Sequence, residues 1–123
     1  MHELGLVFEV IDQIEARAKS NRVKKVVALT MEIGEVSTVV PDYFRDCFAW
    51  AKQSTAYMRE CELNLVILKA TSFCRNCHRT FDTVSSGKIC PHCHSEDTYL
   101  VSGDQIAIRD IAVIDEGSPQ KKR

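Results

Sequence analysis

The chain lacks any stretch approaching the ~18 consecutive apolar residues of a membrane-spanning helix. Its amino terminus has no basic segment followed by an apolar one and a small-residue cleavage site. The expected location is therefore the cytoplasm, with no membrane partner. A dominant charge is also missing: 16 Lys and Arg against 17 Asp and Glu leave a formal charge of -1, which gives no bulk attraction to nucleic acid or to an anionic surface. Arg17, Lys19, Arg22, Lys24 and Lys25 do cluster, but around the expected end of a helix, where cations complement the carbonyl end. No internal repeat is visible beyond two short cysteine pairs. At 123 residues the chain can bury one modest core and a small satellite, not two hydrophobic domains.

What is present is a cysteine quartet, Cys74-Arg75-Asn76-Cys77 and Cys90-Pro91-His92-Cys93. Two thiolates separated by two residues bind one ion within a tight turn, and a second such pair completes a tetrahedron. Cytosolic thiols are kept reduced, so metal ligation is favoured over disulfides. Four thiolates suit structural Zn(II), a d¹⁰ ion that accepts tetrahedral geometry without redox chemistry; four-cysteine iron is the alternative. A closed quartet leaves no open position for metal-assisted hydrolysis, so the chain is expected not to be an enzyme.

Histidine follows each pair, as His78 and His94. Cys-x-x-Cys-His is also the attachment pattern of c-type haem, but that attachment occurs outside the cytoplasm and needs more apolar enclosure than this hydrophilic segment offers. Two readings of the histidines stay open: imidazole replaces a neighbouring thiolate on zinc in a pH-dependent way, or both rings face solvent. Cys47 and Cys61, apart from the quartet, read as small core residues.

Periodicity organises the rest. Val7, Val10, Ile11, Ile14 and Ala18 form the apolar stripe of a helix over 3–19. A strand follows over 26–33, with Val27, Leu29, Met31 and Ile33 on one face. Pro41 opens a second helix whose Phe44, Cys47, Phe48 and Ala51 share a stripe and which fades near 53–57. A second strand spans 63–68, the knuckles come next, with a short hairpin or loop over 80–87 that sets Phe81 on the metal site, and a last strand runs over 105–114. In that strand the inward phase changes from Ile106 and Ile108 to Ile111 and Val113, as at a bulge near Arg109-Asp110. The fold class is α+β: two helices packed on a three-stranded sheet, with an inserted four-cysteine zinc-knuckle module. Residues 1–70 and 102–116 form the first, discontinuous domain, 71–101 the zinc domain, and 117–123 a polar, frayed tail.

Only one of the four histidines, His2, lies outside the zinc segment. A terminal amine, an imidazole at position 2 and successive backbone nitrogens can wrap an ion in fused chelate rings, a nitrogen-rich, near-planar set that suits Ni(II) or Cu(II). On chemistry alone, an exposed helix-start histidine is the competing reading, and Glu3 an acid facing the positive end of the helix dipole.

Met1-His2-Glu3, the segment Glu32-Ile33-Gly34-Glu35-Val36-Ser37 followed by Val40-Pro41-Asp42, the cysteine quartet, and Ser102-Gly103-Asp104 before the last strand together resemble the HypA/HybF family, nickel metallochaperones of nickel–iron hydrogenase maturation. The resemblance covers residues 1–116. It implies a transferred Ni(II) held by Met1, His2 and Glu3, with His2 the indispensable side chain, and a structural Zn(II) on Cys74, Cys77, Cys90 and Cys93. It also implies a HypB-type GTPase and a hydrogenase large-subunit precursor as partners. A histidine after each pair, as at His78 and His94, matches members that also serve urease, which adds urease maturation proteins to the expected partners. The rival on the residues alone is a zinc-ribbon adaptor binding nucleic acid or protein, whose basic footprint is missing here.

Overall fold

The computed structural model describes residues 2–115, with His2 by its backbone alone; Met1 and the tail expected to fray lie outside the described residues. Helix α1 (His2–Ser20) buries Val7, Val10, Ile11, Ile14 and Ala18, the stripe read from spacing, with Glu3 in its first turn and Arg17 and Lys19 in its last. It stops where Arg22 adopts φ 59 and the Asn21 amide and side chain both donate to the Arg17 carbonyl. Strand β1 (Val23–Gly34) turns the chain back. Helix α2 (Pro41–Ala51) starts on Pro41, whose missing N–H costs nothing at that position, and is extended by a 3₁₀ turn, Lys52–Ser54.

The two helices run side by side and parallel. Glu3 reaches the amide of Val40, the Phe8 ring meets Trp50 edge-on, and the Glu15 carboxylate accepts from the Thr55 hydroxyl. Ile14 and Ala18 of α1 line an apolar cavity of about 240 Å³ together with Val23 and Val26 of β1 and Ile111 and Val113 of the last strand. Strands β2 (Glu62–Leu68) and β6 (Ile106–Asp115) flank β1 in a three-stranded sheet of order β2-β1-β6. No helix among the described residues is long and apolar enough to cross a membrane.

Two phases differ from the periodic reading. In β1 it is Val26, not Val27, that is buried with Leu29, Met31 and Ile33. The step from 26 to 29 changes the pleat phase beside the point where the Val26 amide donates outside the sheet, to the Tyr57 carbonyl at 2.8 Å. In β6 the phase does shift between Ile108 and Ile111, but Val113 is exposed, as the edge position of the strand allows.

The chain divides into two compact units, residues 1–31, 39–65 and 108 onward in the first, 32–38 and 66–107 in the second. The second contains a sheet that periodicity did not foresee: β3 (Thr71–Cys74) lies between β4 (Thr80–Asp82) and β5 (Thr98–Ser102), antiparallel to both. Between β4 and the second cysteine pair stands a one-turn helix, α3 (Thr83–Ser86), where a hairpin or loop was expected; Asp82 caps it by accepting from the Ser85 amide. Within this unit three backbone segments meet. The Gly34 amide donates to Gln105, Glu35 to Leu68 and Val36 to Gly103, and the Glu35 carboxylate accepts from the Ala70 amide at 2.8 Å. A Cβ on Gly34 would fall 2.0 Å from the Gly103 oxygen, and Gly103 itself holds φ 117. Only glycine fits at either position.

Candidate metal centre

Cys74 is delivered by the central strand β3, and the other three ligands by turns. The two knuckles share one backbone pattern. In each, the amide of the first cysteine donates to the carbonyl five residues on (Cys74 to Arg79, Cys90 to Ser95), and the residue after the second cysteine donates back to the first (His78 to Cys74 and His94 to Cys90, both 2.8 Å). Those two histidines have φ 62 and 67, the left-handed region that histidine enters more readily than most non-glycine residues. The sequence folds this way because a turn of that kind points both thiols of a pair inward.

The four Sγ atoms lie within 4.8 Å of one another, the one group of metal-capable side chains among the described residues. Cys74 and Cys93 are 3.6 Å apart and Cys77 and Cys90 3.7 Å. A tetrahedral ion with Zn–S bonds of about 2.3 Å requires S···S edges of about 3.8 Å, whereas a disulfide needs about 2.05 Å. The quartet therefore fits a tetrahedral ion and is not paired covalently. Donors surround the sulfurs as a thiolate cluster needs: the Asn76 amide reaches Cys93 Sγ at 3.3 Å, the His92 backbone N–H reaches Cys90 Sγ at 3.3 Å, and the Cys77 N–H reaches Cys74 Sγ at 3.5 Å. Asn76 above all holds the Cys93 thiol down to about 6, while burial pushes Cys77 up to about 12. A divalent cation at the centre of the four sulfurs would favour the thiolate form of every ligand. Phe81 packs on Cys74 and Cys90 to form the cluster's apolar side, as its position between the pairs suggested.

His78 and His94 are exposed and stand outside the group of four ligand atoms. The His78 ring lies edge-on to Phe73, which in turn meets Tyr99, and the Arg75 guanidinium sits 4.5 Å over the Tyr99 ring. Cys47 and Cys61 are buried and are not among the four grouped ligands; desolvation raises the Cys61 thiol to about 11. At the amino terminus, Met1 and the His2 side chain lie outside the described residues. Glu3 is within them: it is 7% exposed, and its carboxylate accepts from the Val40 N–H at 2.9 Å, at the start of α2, where a negative charge is favoured. Sequence reading missed this tie and the Asn76 contact. A polar side chain inside Cys-x-x-Cys was a usable signal for Asn76; a partner 37 residues away left none for Glu3.

A closed four-thiolate cluster on a small α+β chain defines a metal-binding protein. Residues 1–113 match the family model described as hydrogenase/urease nickel incorporation, metallochaperone, hypA. A hydrogenase maturation factor HypA from Prosthecochloris aestuarii is 31% identical over 113 residues, covering 92% of this chain and 99% of that protein. One from Actinobacillus succinogenes is 33% identical over 70 residues, 57% of this chain and 61% of that protein. The solution structure of the Ni metallochaperone HypA from Helicobacter pylori superposes with a TM-score of 0.69 at 23% identity, over 93% of this chain and 98% of that one. A second HypA solution structure gives 0.72 at 24%, over 94% and 98%; at these identities the likeness is one of fold. The chain belongs to the HypA family, metallochaperones and maturation factors of hydrogenase/urease nickel incorporation.

Proposed function

We propose that this chain binds Ni(II) at its amino terminus and delivers it during nickel–iron hydrogenase maturation, while Zn(II) on Cys74, Cys77, Cys90 and Cys93 organises the second unit. The family match that begins at Met1 is the observation that carries this reading. The Met1 amine, the His2 imidazole and intervening backbone nitrogens supply the plane around nickel. Glu3 serves by position, since its carboxylate anchors the first turn of α1 to Val40. Zinc is supported by sulfur spacings that match a closed tetrahedron, and cargo nickel by the nickel-incorporation family to which the chain belongs. The functional division falls at residues 1–70 with 102–116 for nickel and 71–101 for zinc.

The protein works in the cytoplasm with a HypB-type GTPase and a hydrogenase large-subunit precursor. His78 and His94, each next to a ligand, extend service to urease maturation and replace a thiolate on zinc upon acidification. Nickel titration by calorimetry on zinc-loaded protein with a native, untagged terminus tests the central claim. One tight site in wild type, lost in His2→Ala with zinc retained, is the expected result. Equal binding by both removes His2 and favours the zinc-ribbon adaptor.

A further inference from the structure

The chain's single tryptophan, Trp50, is 66% exposed. It does not stand alone. The Phe8 ring meets it edge-on with centroids 6.1 Å apart, and Tyr43, two turns before it on the same stripe of α2, is 40% exposed. Leu4, Tyr43, Asp46, Cys47 and Trp50 line an open groove of about 260 Å³ between the parallel helices. Scattered exposed apolar residues are ordinary, but a contiguous aromatic groove marks an interaction site. Its rim is acidic: Asp46 lies in the lining, and Asp12 follows Phe8 by one turn on the same face of α1 and is exposed.

We infer that this groove docks a segment of the protein that exchanges nickel with this chain, a segment that inserts an apolar side chain between Tyr43 and Trp50 and sets Lys or Arg beside Asp46 and Asp12. Charge complementarity selects that occupant: carboxylates at the rim repel an acidic partner and an anionic lipid surface, whereas a cation on the same segment gains both carboxylate and aromatic contacts. Aromatic anchors in a pocket with a polar rim are the usual energetic centre of such surfaces. Location gives the groove its use. Leu4 follows the buried Glu3 directly, so a partner seated there lies at the terminus that carries the nickel; this last step rests on the amino-terminal nickel site proposed above.

The probe is a fluorescein-labelled amphipathic Leu/Lys helix, compared with the same helix carrying Glu for Lys, read by anisotropy at about 0.15 M salt. The expected result is saturable binding of the Lys helix, at least about tenfold weaker to Trp50→Ala and to Asp46→Lys, with no binding of the Glu helix. Both substitutions are at exposed positions, and retained zinc and helical circular dichroism verify folding. Equal binding to wild type and both variants overturns the inference, as does equal binding of the Glu helix. So does a wild-type dimer in sedimentation that Trp50→Ala dissolves, which assigns the groove to a second copy. Nickel titration of the same variants separates the two claims: the variants keep the wild-type nickel site if docking alone is lost, and a chain without that site fails the nickel reading whatever the groove binds.

Discussion

In the first unit Val7, Ile11, Ile14, Val26, Leu29, Phe44, Phe48 and Met58 are buried together; in the second, the buried apolar side chains are Ile33, Ala70, Phe81 and two of the ligand cysteines, Cys74 and Cys90. The first resembles an ordinary protein interior, in which removal of apolar area from water offsets chain entropy. The second has too little such area, and its central cluster is the quartet with Phe81. A segment so built is expected to fold only with an ion on the quartet, because metal binding free energy then appears as folding free energy. The proposed division of labour follows the same line: under that reading a resident ion organises the second unit, and the cargo ion is assigned to the amino terminus.

The largest expected effect is removal of that ion. A structural zinc contributes on the order of 10 kcal/mol, so a strong chelator, or Cys74→Ser, should abolish the dispersed amide spectrum of residues 71–101 while α1 and α2 keep theirs. Two-dimensional NMR reads both units in one sample. Simultaneous loss of the first unit would break the contrast between them.

Phe44→Ala is the converse. Phe44 is fully buried on α2, and its truncation should cost about 3–5 kcal/mol. Thermal unfolding followed by helical circular dichroism should move to a much lower temperature, while zinc content measured on the folded protein stays at one per chain.

Gly34→Ala tests the backbone junction of the second unit. The new methyl would meet the Gly103 carbonyl, main chain rather than a yielding side chain, so a loss of at least about 1–3 kcal/mol is expected. Hydrogen exchange should quicken at Val36 and Ala70, whose amides donate across the junction. Unchanged exchange there would mean that the junction yields without cost.

The parts of this structure that sequence showed are those with a short-range rule. Val7 to Ala18 and Phe44 to Ala51 repeat at helical spacing, Pro41 marks a start, and the two cysteine pairs declare a tetrahedral site by spacing alone. The parts it hid depend on distant partners. Nothing local distinguishes Val26 from Val27 until the Tyr57 carbonyl takes the Val26 amide. Strands as short as β4 and β5 are specified by their register with β3, not by their own residues. Glu3 looked like a dipole-facing acid or a nickel ligand; its burial against Val40 came only with the parallel packing of α1 and α2.

The smallest effect sharpens the comparison most. Asp82 caps α3, and its carboxyl is held below the ordinary carboxylate value chiefly by the Ser85 hydroxyl and amide, with Lys69 at 3.2 Å adding to this. A group whose folded value is depressed stabilises the fold above its ordinary value, near 3.8, and that contribution disappears as pH falls through the lower folded value. Thiolate ligands compete with protons as well, and zinc leaves once acid protonates them. If the ion governs the second unit, its acid unfolding should coincide with zinc release at a pH above the window in which Asp82 titrates. Asp82→Asn should then leave that midpoint unmoved while slightly lowering stability at neutral pH. A chromogenic zinc indicator and tyrosine absorbance, recorded together during an acid titration of both proteins, make the comparison. A midpoint that shifts with the substitution would show that a local cap, and not the ion, sets the acid limit of this unit.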